Sequence, residues 1–84
     1  MNISKAEQRV LHVLAQGGRI VHERDGTKVV AITCFTREGH VLSQCDLSLF
    51  QRLRKRGLIA SRNGRPFTLS MRGRRNVRAQ LDNR

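Results

Sequence analysis

The sequence predicts an α+β fold, a single small winged-helix-like domain over residues 1–84 with its elements in the order α-β-β-α-β-β-α. Three observations lead there. Two apolar helical patterns each start behind a capping residue; Asp25-Gly26 and Asn63-Gly64 each interrupt a β-type stretch; and a helix, a glycine, a basic hairpin and a final helix follow one another in the second half.

The first helix is expected over residues 4–16. Ser4 and Glu7 stand three apart, the spacing at which each side chain satisfies a backbone N–H of the other. Ile3, Ala6, Val10, Val13 and Leu14 then recur at helical spacing as one apolar face. Gly17 and Gly18 end the helix, since a terminating residue often adopts the left-handed conformation. Residues 19–35 read as a hairpin. Ile20 and Val21 precede Asp25-Gly26, and Val29, Val30, Ile32 and Phe35 follow it. Residues 37–40 form the next loop.

Asp46 caps a second helix over 46–56, with Leu47, Phe50 and Leu53 inward and Arg52, Lys55 and Arg56 elsewhere. Gly57 stops it. A basic hairpin over 58–69 turns at Arg62-Asn63-Gly64-Arg65, and Pro66 suggests an edge strand because it cannot donate to a ladder. A last helix spans 70–82, with Met71, Val77 and Leu81 inward and Gly73 weakening its first turn. Leu14 to Gly18 matches Leu53 to Gly57 in spacing, a likeness best read as convergence on a common helix-to-hairpin connection.

Eighty-four residues supply one thin core. The charge carries more information. Seventeen Lys and Arg against six Asp and Glu leave a net +11, a field that attracts polyanions. Residues 1–46 hold six basic and five acidic side chains, whereas residues 47–81 hold ten basic and none acidic. Nine of those ten are arginine, whose planar guanidinium makes the bidentate and stacking contacts that solubility alone does not require. A solvated face usually mixes both signs. The expected binding residues are therefore Arg52, Arg54, Lys55 and Arg56 on the second helix, Arg62 and Arg65 at the turn, and Arg72, Arg74, Arg75 and Arg78 on the last helix. Nucleic acid and acidic protein surfaces are both suitable partners. With Phe35, Phe50 and Phe67 needed for packing, base stacking on aromatic platforms is disfavoured.

No apolar run approaches the roughly 20 residues of a membrane span, and no signal segment opens the chain, so a cytoplasmic location is expected. In that reducing setting Cys34 and Cys45 read as buried thiols. Cys34, His40 and Cys45 lack the paired spacings of a zinc site, so neither metal nor cofactor is expected. Paired carboxylates and a phosphate loop are missing, and His22 or His40 with arginines is a weak basis for a nuclease; the chain reads as a binder and not an enzyme.

The runs Glu7-Gln-Arg-Val-Leu-His-Val-Leu-Ala-Gln-Gly-Gly-Arg-Ile20, Leu58-Ile-Ala-Ser-Arg-Asn-Gly-Arg-Pro66 and Asn76-Val-Arg-Ala-Gln-Leu-Asp-Asn-Arg84 resemble the YjhX family of small bacterial proteins over nearly the whole chain. The resemblance implies the toxin of a toxin–antitoxin pair, an acetyltransferase-like antitoxin protein as partner, and inhibition of DNA topoisomerase I. It carries no catalytic residues onto this sequence. Joined to the charge, it leads to a toxin that binds topoisomerase I or its DNA through the basic surface. The alternative is a winged-helix DNA-binding transcriptional regulator.

Overall fold

Ser4 starts the fold: its hydroxyl accepts from the Glu7 N–H at 3.1 Å while the Glu7 carboxylate accepts from the Ser4 N–H at 3.2 Å. This reciprocal cap opens α1 (Lys5–Ala15). A computed structural model describes the backbone of residues 3–82 and the side chains of residues 3–77, in the order α1, β1 (Arg19–Asp25), β2 (Lys28–Phe35), α2 (Leu47–Lys55), β3 (Ile59–Ala60), β4 (Thr68–Leu69) and α3 (Met71–Asp82). The order is the one the sequence predicts.

The buried face of α1 is Glu7, Val10, Leu11 and Leu14. Ala6, expected inward, is exposed, and Val13 is half-buried. The face is turned toward Leu11 because Glu7 also points inward, to a partner on α2. Both α1 and α2 end in the same way. Gly17 (φ 104°) donates to the Leu14 carbonyl and Gly18 to Val13, while Gly57 (φ 74°) donates to Arg54 and Leu58 to Leu53. These paired bonds satisfy carbonyls that a helix end leaves open. The true equivalence is thus Gly17 with Gly57, one residue away from the spacing match seen in the sequence.

β1 and β2 pair antiparallel from Arg19↔Phe35 to Asp25↔Lys28, with an irregularity at Glu23/Arg24, and Gly26 supplies the positive φ (65°) at the turn. β3 and β4 pair through Ile59↔Leu69 and Ala60↔Thr68. Ile20 and Phe67 exchange two backbone hydrogen bonds, 2.9 and 2.8 Å, and so tie the two sheets together. β4 pairs with β3 alone in a two-stranded sheet, the edge strand that Pro66 suggests, and Phe67 just before it bonds β1 through an isolated bridge. The missing N–H of Pro66 lies outside the ladder, where it costs nothing.

Asp46 caps α2 by accepting from the Leu49 N–H at 2.8 Å. Leu49, Phe50 and Leu53 are buried, and Leu47 is only half-buried. Phe50, Leu11, Ile20, Leu53, Leu58, Val10 and Cys34 are the largest fully buried side chains, drawn from both halves of the chain. Each large apolar one contributes about 1.5–3 kcal/mol by leaving water. Phe67 is buried in contact with Phe50, whereas Phe35, expected in the core, is partly exposed with Arg19 above its ring.

Cys34 and Cys45 are buried thiols hydrogen-bonded to each other. That bond holds the Cys34 thiol below its ordinary range against the opposing effect of burial, and bond and burial together push Cys45 upward.

α3 packs on α1 and β4. Its start is fixed by Ser70, whose hydroxyl accepts from the Gly73 N–H at 3.0 Å and donates to the Gly57 carbonyl. Gly73 is buried, and a Cβ there would stand 2.1 Å from the Leu58 carbonyl oxygen. Far from being only a weak helix former, it lets α3 lie directly on the chain entering β3. Met71, expected inward, is 72% exposed; Val77 is buried. The Leu81 side chain lies outside the described residues.

Candidate nucleic-acid interface

The ten basic residues of the second half separate into groups once the elements are in place. On α2, burial of Leu49, Phe50 and Leu53 leaves Arg52, Arg54 and Lys55 exposed. Arg54 lies over the Phe67 ring, 5.7 Å from its centroid. Arg56 turns inward, with Nη1 donating to Glu7 Oε2 at 3.1 Å. On α3, Arg72 reaches back to donate to the Arg56 carbonyl at 3.2 Å, placing a cation at the negative end of α2. Arg75 lies beside the Met71 sulfur at 3.9 Å. The Arg78 side chain lies outside the described residues.

Arg62, Arg65 and Arg74 are brought together. The Arg65 N–H donates to the Arg62 carbonyl at 3.0 Å, closing a four-residue turn whose centre, Asn63 (φ 54°) and Gly64 (φ 75°), takes the left-handed conformation expected of Asn-Gly. The Ser61 hydroxyl donates to the Arg65 carbonyl and braces it. Arg74 comes from the first turn of α3, whose direction Ser70 and Gly73 set.

These three arginines and Arg19 line an open groove of about 730 Å³ with Pro66 and Met71 on its wall. Arg19 was not visible as a site residue in the sequence, because it sits in the half where charge is balanced. Only the Ile20–Phe67 pairing brings it there, by setting the start of β1 beside Thr68. Its guanidinium is held 5.0 Å from the Phe35 ring centroid.

None of the four guanidinium groups has a carboxylate partner among the described residues; the carboxylate that does meet an arginine, Glu7, is engaged by Arg56. Four unneutralised forks around a groove suit phosphate or carboxylate oxygens, which guanidinium groups grip bidentately. His22 is half-buried, and His40 lies exposed in the turn after β2, its N–H bonded to the Thr36 hydroxyl at 3.1 Å. The described residues contain no group of three or more His, Cys, Asp or Glu able to hold a metal, and no helix among them is long and apolar enough to cross a membrane.

Fold and groove together define a small basic α+β protein with an arginine-lined groove. The chain belongs to the YjhX toxin family, whose model, described as "Putative toxin of bacterial toxin-antitoxin pair", matches residues 1–84. It is 60% identical to a UPF0386 protein of Brucella anthropi across the full length of both chains. A UPF0386 protein of Ruegeria sp. (strain TM1040) is 59% identical, again across both full lengths. One of Cereibacter sphaeroides is 62% identical, covering 99% of this chain and 97% of that one. No solved structure matches this chain. That description places the family in a toxin–antitoxin pair and so implies an antitoxin as partner.

Proposed function

We propose that this chain acts as a toxin by binding, not by catalysis, holding DNA topoisomerase I or the DNA engaged by it through the arginine groove. The observation that carries this is the convergence of Arg19, Arg62, Arg65 and Arg74 from β1, the turn and α3 on one groove with no carboxylate among them. DNA held by such an enzyme offers a phosphate backbone, and an acidic patch on the enzyme would offer carboxylates; arginine forks suit either. On this reading the acetyltransferase-like antitoxin neutralises the toxin by covering the same groove, in the cytoplasm.

The test is relaxation of supercoiled DNA by purified topoisomerase I. Excess protein is expected to slow relaxation, and an Arg62→Gln/Arg65→Gln/Arg74→Gln variant to lose that effect while keeping its fold. Full relaxation at excess wild-type protein overturns the reading.

A winged-helix regulator is the second reading, favoured by one observation: α2, with Arg52, Arg54 and Lys55 exposed, runs directly into the basic hairpin β3–β4. It requires a gel shift of duplex DNA with no enzyme present.

A further inference from the structure

The strand that carries Arg19 has a second cationic position on its other face. Side chains alternate along β1, and the irregularity at Glu23/Arg24 leaves the extra residue, Val30, on β2, so Ile20, His22 and Arg24, opposite Cys34, Ile32 and Val29, share one face. Ile20 is fully buried and Arg24 exposed, so His22 stands where the hairpin leaves the core. Its ring meets Phe67 edge-on, with centroids 5.0 Å apart at 73°.

Phe67 is itself fixed by Phe50, whose ring lies 4.9 Å away at 87°. Across the Phe67 ring lies the Arg54 guanidinium from α2. An aromatic floor therefore holds an imidazole from β1 and a guanidinium from α2, while Arg24 acts on the same imidazole from two positions along its own strand. Like charges gathered in this way repel until an anion joins them.

The imidazole is oriented as well as placed. Its Nδ1 is buried without a hydrogen-bond partner, so a proton there would be an unsatisfied donor, which favours the tautomer with its proton on Nε2. Burial, then Arg24, then Arg54 keep the imidazole from charging. A neutral ring of this kind is a hydrogen-bond donor flanked by two guanidinium forks.

We propose that His22, Arg24 and Arg54, floored by Phe67, form a second phosphoryl-binding site, separate from the arginine groove. Pro66 and Thr68 line the groove, and Phe67 between them points to the opposite side, so the chain at 66–68 divides the two sites. A phosphoryl oxygen accepts from the His22 Nε2–H, and the remaining oxygens take the forks of Arg24 and Arg54. The same chemistry is presented by a nucleic-acid phosphodiester and by free phosphate. The site does not rest on the toxin reading.

The experiment follows the His22 Cε1–H resonance of the full chain by NMR at fixed ionic strength, during titration with inorganic phosphate and, separately, with a short DNA duplex. Phosphate is expected to shift it saturably, with sodium chloride at matched ionic strength leaving it in place, and to raise the pH midpoint of His22, since a bound anion favours the imidazolium. Arg54→Gln is expected to weaken phosphate about tenfold, with Arg54→Lys intermediate and retained Phe67 ring shifts reporting an intact fold. Arg62→Gln/Arg65→Gln/Arg74→Gln leaves this phosphate response unchanged. A duplex response in addition assigns the site to polymer backbone, and phosphate alone assigns it to a free phosphoryl ligand; both sustain the site. A resonance unmoved by phosphate, or moved equally in Arg54→Gln, overturns it.

Discussion

Glu7 Oε2 accepts from Arg56 Nη1 at 3.1 Å, joining the first turn of α1 to the C-cap residue of α2, with the Glu7 side chain 4% exposed. The other carboxylate oxygen closes the cap on Ser4. Glu7→Gln keeps an acceptor for the cap and loses the ionic partner, with an expected cost of about 1 kcal/mol. Glu7→Ala loses both and is expected to cost about 2–3 kcal/mol. Urea unfolding of the two variants separates the contributions, and equal losses would show that the cap adds nothing.

Gly73 and Gly26 are expected to respond to alanine for different reasons. At Gly73 the new methyl meets the Leu58 carbonyl at 2.1 Å, so α3 must lift from β3, at a cost of about 2–3 kcal/mol. At Gly26 nothing lies within 4 Å, and only the positive φ (65°) opposes the change, costing about 1 kcal/mol. Gly73→Ala should also weaken polyanion binding, because Arg74 rides on the displaced turn. Gly26→Ala should not.

His22 makes stability depend on pH. Its folded value lies below the ordinary one of about 6.5, through burial first and then Arg24 and Arg54. As pH falls below about 6.5 the unfolded chain takes up a proton that the folded ring resists, so stability is lost from there down to the folded value and levels off beneath it. Urea midpoints measured from neutral to mildly acidic pH should show this decline, and His22→Gln should flatten its share.

Much of this architecture is legible from local chemistry. Ser4 with Glu7, Asp46 ahead of Leu47, and Asn63-Gly64 each act within a few residues, and each element they delimit is where the sequence puts it. The misplacements trace to distant partners. Ala6 gives way to Leu11 on the inner face of α1 because Glu7 is drawn to Arg56. Met71 is left outside because Gly73 brings a different side of α3 onto Leu58. Arg19 joins the groove through Phe67, and Arg56 and Arg72 take up contacts within the fold, so a count of charge along the chain could not sort binders from braces.

That sorting has a measurable form. Duplex affinity should fall with salt at a log–log slope of about −0.9 per phosphate contacted. If Arg62, Arg65 and Arg74 each hold one phosphate, Arg62→Gln/Arg65→Gln/Arg74→Gln should flatten the slope by about 2.7. Arg72→Gln should leave it nearly unchanged and instead cost about 0.5 kcal/mol of stability through the uncapped end of α2.

The backbone exchange between Ile20 and Phe67 also sets an order of events during synthesis. Ile20 is added well before Phe67, and Arg19 has no groove to line until β4 and α3 have been made and docked. A product released early, however many of the arginines it already holds, has charge without a shaped surface to deliver it. The groove is therefore complete only once α3 is in place, and a fragment that stops before it holds Arg62 and Arg65 without Arg74 beside them.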